Sequence, residues 1–219
     1  MSLVRPAVAG MKGFDVDQRV GPQAAKALAA NGYSFAVRYL PRVTQGMNDL
    51  TATEVCQLLA GGLAVMAVQH VESETSWVPS AEKGEAYGSG AARAAKAVGL
   101  PAGVTVWLDL EGVAEGTDAA VVVAYCQAWY AMVADAGYEP GLYFGWHAGL
   151  TGEQLYHALS FARFWAAYNA DGDQYPTPRG ACMRQRLAEK GEFTGYLELD
   201  VNTVQADALG GLPTLLAPR

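Results

Sequence analysis

The feature that most constrains the fold is an alternation repeated along nearly the whole chain. Short apolar runs that read as strands are each followed by an alanine-rich stretch of helical periodicity. Parallel βα units produce this order, because a parallel strand pair needs a crossover long enough to hold a helix. Strands are expected over about 11–15, 34–40, 63–70, around Trp107, and over 141–145, 163–168, 181–187 and 196–201. Helices are expected over 21–31, 51–60, 81–98, 118–136 and 152–159, with Pro22 in a first turn, Thr51 or Thr53 and Thr117 or Asp118 as caps, and Gly32, Gly61, Gly99 and Gly137 as stops.

Eight strands against five helices make a single, incomplete TIM-like α/β barrel the economical reading, since the last three strands are joined by segments too short or too rich in Gly and Pro for full crossovers. A doubly wound open sheet is the alternative. Its glycine-rich phosphate loop is missing from the first strand-to-helix turn, Phe14-Asp-Val-Asp-Gln-Arg-Val-Gly21, and no Walker-type loop occurs anywhere. One barrel domain is expected over 11–219, with 1–10 as an N-terminal extension or cloning remnant and 169–180 as the most mobile loop.

Composition excludes several classes of function. A chain of 219 residues with 51% hydrophobic content can bury one large core. The net charge of −7 and the scattering of 15 Lys and Arg argue against nucleic acid as a partner. No apolar run approaches the ~18 residues of a membrane span, so no membrane partner is expected. Cys56, Cys126 and Cys182 lie in apolar periodic segments and read as free core thiols. The N-terminus lacks a charged region followed by an apolar one, which predicts a cytoplasmic protein or one exported to the cell wall by a signal-independent route.

The segment Val104-Thr-Val-Trp-Leu-Asp-Leu-Glu-Gly112 carries the chemistry. Asp109 and Glu111 are two apart at the C-terminal end of an apolar strand, so they share a face and repel each other. In a parallel barrel every strand's C-terminal end opens on one mouth. The other ends bring Asp15 and Asp17, Arg38 and Tyr39, Gln69 and His70, Tyr143 and Trp146, Trp165 and Tyr168, Gln185, and Glu198 or Asp200 with Asn202. Carboxyl groups beside flat aromatic faces are what cleavage of a sugar polymer requires. The catalytic set is read as Glu111, Asp109, Asp15 and Asp200, and the substrate-binding set as Arg38, Tyr39, Gln69, Tyr143, Trp146, Trp165, Tyr168, Gln185 and Asn202. Asp200 has a second reading, as the cap of a helix over 202–209.

Gly13-Phe-Asp15, Asp109-Leu-Glu111, Trp165-Ala-Ala-Tyr168 and Leu199-Asp-Val-Asn202 resemble, in order, motifs of the family 25 glycoside hydrolases, the lysozymes that cut peptidoglycan. More closely, the chain resembles the bacterial glycoside-hydrolase-like family catalogued as domain of unknown function 1906. The resemblance implies an eight-stranded barrel with five helices, Glu111 as general acid, Asp109 stabilising developing positive charge or orienting an acetamido group, and Asp15 and Asp200 lining the same cleft. Peptidoglycan or a related aminosugar polymer is the implied partner, and no cofactor is expected. A silent glycan-binding barrel remains open, as does a metal-dependent hydrolase or deacetylase with a hard cation on Asp15, Asp109 and Asp200. A zinc site is disfavoured, because His70, His147 and His157 lie on separate elements.

Overall fold

The computed structural model describes residues 3–170 and 172–219. Its elements run β1 (Leu3–Pro6), β2 (Lys12–Val16), α1 (Pro22–Ala30), β3 (Phe35–Leu40), α2 (Ala52–Ala60), β4 (Ala64–Gln69), α3 (Ala81–Ala97), β5 (Thr105–Leu110), α4 (Ala119–Asp135), β6 (Glu139–Phe144), α5 (Gly152–His157), β7 (Phe164–Ala166), β8 (Met183–Leu187), β9 (Asp200–Val204) and β10 (Thr214–Ala217). Helix starts follow the capping logic: Thr51, Ser80, Asp118 and Thr151 each accept from a backbone N–H of the first turn, and Thr151 with Gln154 completes a capping box.

Strands β2 to β9 close an eight-stranded barrel, sealed by the pairing of β4 with β5. The barrel is mixed. β9 runs antiparallel to both β8 and β2, which corrects the expectation that the last strand would be parallel and lie over 196–201. The reason is the connection: 188–199 holds no helix, so the chain stays at the mouth and turns straight back down. That strand, and the loop and turn that follow it over 205–209, stand in place of the helix considered over 202–209.

Strand β1 lies within the segment read as an extension, and it pairs antiparallel with β10. This ribbon joins the foot of β4 through Leu216 and Val65, and the Thr214 N–H donates to Thr105 Oγ1 at 2.8 Å, closing the barrel's lower end. The loop read as mobile contains a single 3-10 turn at Gly172–Gln174, with Asp171 outside the described residues, as are Met1 and Ser2.

Strand alternation splits the apolar residues into two cores. One fills the lumen with Phe35, Val37, Met66, Val68, Trp107, Trp165, Met183 and Leu215. The other lies between barrel and helices, where Gly84 and Gly88 of α3 meet the Tyr125 and Trp129 backbone of α4 so closely that a Cβ would overlap it. Inside the lumen, Gly13 and Gly141 leave the room that the Phe35 and Trp107 rings occupy. Cys126 and Cys182 are buried free thiols, whereas Cys56 is exposed on α2 and not in the core.

Candidate active site

The inward residues change character toward the mouth. On β5 the inward series is Thr105, Trp107, Asp109; on β2 it ends at Asp15, on β8 it reaches Gln185, and on the descending β9 it begins Asp200, Asn202. Asp15 and Asp200 are register partners across β2 and β9. Asp15 is almost fully buried, and its Oδ2 accepts from Gln185 Nε2 at 2.9 Å and Asn202 Nδ2 at 2.8 Å. Burial outweighs both donors, with the Asp200 charge adding to it, and pushes the Asp15 carboxyl up to about 7.

Asp109 is buried to the same degree, and one of its oxygens is without a hydrogen-bond partner among the described residues. Burial, then the neighbouring Glu111, Asp15 and Glu74, hold its carboxyl well above the usual range despite a backbone hydrogen bond from Val71. Glu111, one residue beyond β5, is half-buried, and burial followed by the charges of Glu74 and Asp15 lifts it to about 7. Its backbone is gripped from two sides. Trp77 Nε1 donates to the Glu111 carbonyl at 2.7 Å, and the Gly112 N–H donates to the Trp146 carbonyl at 2.8 Å. Gly112, at φ 63°, packs so tightly on Ser73 and Glu74 that no side chain would fit. Gly145 leaves space for the Glu111 carboxyl, whose Oε2 would lie 2.8 Å from a Cβ there.

A cleft of about 360 Å³ at this mouth is lined by Tyr39, Glu74, Glu111, Tyr143, Trp146, Tyr168, Asn169, Gln185 and Asp200. Gln185 organises its floor: besides donating to Asp15, it accepts at Oε1 from the Tyr143 hydroxyl at 3.0 Å and from the Tyr168 N–H at 3.3 Å. Trp146 and Tyr168 are 44% and 52% exposed, so part of each ring is open to a ligand, although the His147 ring lies tilted against Trp146 at 4.0 Å between centroids. Asn169 accepts from the Trp146 N–H at 3.2 Å.

Four residues assigned to substrate do not line the cleft. Arg38 is adjacent to the inward Tyr39 and therefore points out of the barrel. Fully buried, it donates to Glu54 Oε1 at 2.7 Å, to the Asn48 carbonyl at 2.6 Å and to the Val16 carbonyl. Gln69 is also outward, hydrogen-bonded to Tyr87, Pro41 and Trp129 beneath α3 and α4. Trp165 points inward but lies under the mouth, edge-on to Trp107 and Tyr143. Asn202 serves Asp15 from below. Glu74 and Asn169 line the cleft although no motif marked them. Both sit on loops beyond their strands, where periodicity gives no signal.

Among the described residues no group of three or more His, Cys, Asp and Glu is arranged to hold a metal ion, and no helix is long and apolar enough to cross a membrane.

The model of the Rv2525c-like, glycoside hydrolase-like domain family matches residues 26–197. The chain belongs to this family. Among functionally curated proteins, none matches it. Solved structures of similar fold include the Mycobacterium tuberculosis Tat-secreted protein Rv2525c, at 18% identity over 89% of this chain and 95% of that one, with a TM-score of 0.66. The lysozyme from Streptomyces coelicolor aligns at 16% identity over 93% and 95%, with a TM-score of 0.59. The family 25 glycosyl hydrolase from Bacillus anthracis aligns at 14% over 92% and 91%, with a TM-score of 0.57. The fold of this Rv2525c-like domain is thus one that lysozymes and muramidases also use, and the chemistry of the cleft must be argued from its own residues.

Proposed function

We propose that the cleft is the active site of a glycoside hydrolase acting on peptidoglycan or a related aminosugar polymer at the cell wall, with Glu111 as general acid. The observation that carries this reading is the Glu111 carboxyl. It is half-buried and backbone-clamped, sits beside two partly exposed aromatic rings, and has its ionisation raised to about 7, so a large fraction of it carries a proton near neutral pH. Glu111 would give that proton to the glycosidic oxygen as the bond to the anomeric carbon breaks.

Asp15 and Asp109 are both held toward their neutral forms, and a neutral carboxylic acid is a poor nucleophile. That favours a route in which the substrate's own N-acetyl oxygen attacks the anomeric carbon and Asp109 hydrogen-bonds the acetamido group. Water then opens the cyclic intermediate while ionised Glu111 takes back the proton, which balances the reaction. Asp200, less buried and facing Asp15, lines the opposite wall. Resemblance in fold to a Tat-secreted protein and to lysozymes supports a wall substrate outside the cytoplasm.

The test is release of reducing ends from purified peptidoglycan by the wild type and Glu111→Gln, with and without EDTA, both proteins being shown to be folded. Turnover in the wild type alone, unchanged by EDTA, is the expected result. Equal turnover in both proteins would remove Glu111 from its role. Binding without turnover would point to a glycan-binding barrel, and loss of turnover in EDTA to a metal-dependent hydrolase.

A further inference from the structure

Tyr39 lines the cleft together with Glu111 and Asp200, and burial, followed by the charges of Asp15, Asp109, Glu111 and Asp200, keeps its phenol protonated. Among the described residues its hydroxyl has no hydrogen bond to protein, so what fixes the ring is the packing behind it. That packing is the lumen core below and, stacked on the ring with centroids 4.6 Å apart and planes 27° from parallel, the imidazole of His70. His70 follows β4, and its N–H donates to the Leu40 carbonyl at 3.2 Å. The ring is oriented by Asp49, whose Oδ1 lies 3.0 Å from His70 Nε2, with Asp17 Oδ1 further off at 3.5 Å. Asp49 is itself buried at 3% exposure. Its second oxygen accepts from the Gly46 N–H, and the next residue, Leu50, donates its N–H to the Tyr39 carbonyl at 2.8 Å. The loop after β3 therefore returns to brace the residue from which it departed.

We infer that Asp49 and His70 are positioning residues for Tyr39, holding its hydroxyl at the point where the carboxyl groups meet the sugar, so that it donates to a substrate oxygen. This rests on the reading of the cleft as a glycan-cleaving site. Neither Asp49 nor His70 lines that cleft; each acts through the residue in front of it.

Two measurements on the full chain test it, one of them independent of turnover. In protein labelled with 13C at the tyrosine ζ carbon, the Tyr39 resonance is assigned by its loss in Tyr39→Phe. It should be sharp in the wild type, shifted or broadened in His70→Ala and Asp49→Asn, and largely restored in His70→Phe, which keeps a stacked ring. An unchanged Tyr39 resonance in His70→Ala would overturn the proposal even if no glycan is ever cleaved. On peptidoglycan, His70→Ala should lower kcat about tenfold with little change in KM, the scale expected when a reacting contact is misplaced. It should have almost no further effect in a Tyr39→Phe background. Full additivity of the two substitutions would assign His70 a separate, structural role, while absence of turnover in the wild type would count against the glycosidase reading and leave the resonance test standing.

Discussion

The two ends of the barrel are built from the same strands by opposite rules. In the lower and middle lumen, Phe35, Met66, Trp107, Trp165 and Met183 interlock, and the β1–β10 ribbon covers them with Leu215 and Ala217. One inward step higher, the strands present Tyr39, Asp109, Tyr143, Gln185 and Asp15. On β5 a single step of two residues, from Trp107 to Asp109, crosses from one regime to the other. The lower end gains stability by excluding water. The upper end gives some of it up, because burying several carboxyl groups with few cations nearby forces them toward their neutral forms. Such a difference between ends is expected where one carries packing and the other chemistry.

The strongest way to break the lower end is Trp107→Ala. It removes a fully buried ring packed on Gly141 and Trp165 and should cost about 3–5 kcal/mol, as for other buried tryptophans, measured as the free energy of urea unfolding. The matching change at the upper end is Glu111→Gln, expected to lower turnover by roughly 10²–10⁴-fold, the range for loss of a general acid, with thermal stability unchanged or higher.

A third prediction joins the two ends through pH. The folded-state pKa of Asp15, about 7, lies above its ordinary value of 3.8, so its contribution to stability is complete below about 4 and is lost as pH rises through 7. Wild-type stability should fall across that window. Asp15→Asn keeps an oxygen to accept from Gln185 and Asn202 and cannot ionise, so it should flatten the fall and be more stable than the wild type at pH 8 by on the order of 2–4 kcal/mol. Identical pH profiles for the two proteins would remove Asp15 as the cause.

The smallest effect is expected for Glu74→Gln. Deleting that charge relieves the Glu111 carboxyl, whose pKa should drop by a fraction of a unit and carry the alkaline limb of kcat/KM to lower pH. An unmoved limb would place Glu74 too far from the acid to matter.

Much of the scaffold could be read from the chain. Four of the five helices start at a side-chain cap and four stop at a glycine, and seven of the eight barrel strands fall where apolar runs fall, because periodicity and caps are local properties. The eighth could not be placed, since the direction of β9 depends on where 188–199 leaves the chain. The β1–β10 ribbon joins opposite ends of the sequence, and no local pattern marks such a pair. The candidate site divides in the same way. Asp109 and Glu111 stand out because two acids at spacing two on an apolar strand are an electrostatic anomaly. Arg38 and Tyr39, by contrast, are neighbours on one strand and cannot face the same side, and only the pairing of β3 shows that Tyr39 is the inward one.

By itself, then, the sequence determined which segments become strands and helices, and that acids lie at the strand ends, because both follow from side-chain type and spacing along a few residues. The tertiary structure alone decided the antiparallel return of β9, the placing of Asp200 opposite Asp15, the outward turn of Arg38 and Gln69, and the bracing of Tyr39 by Asp49 through His70. These are relations between residues far apart in the chain, and they exist only once the barrel has closed.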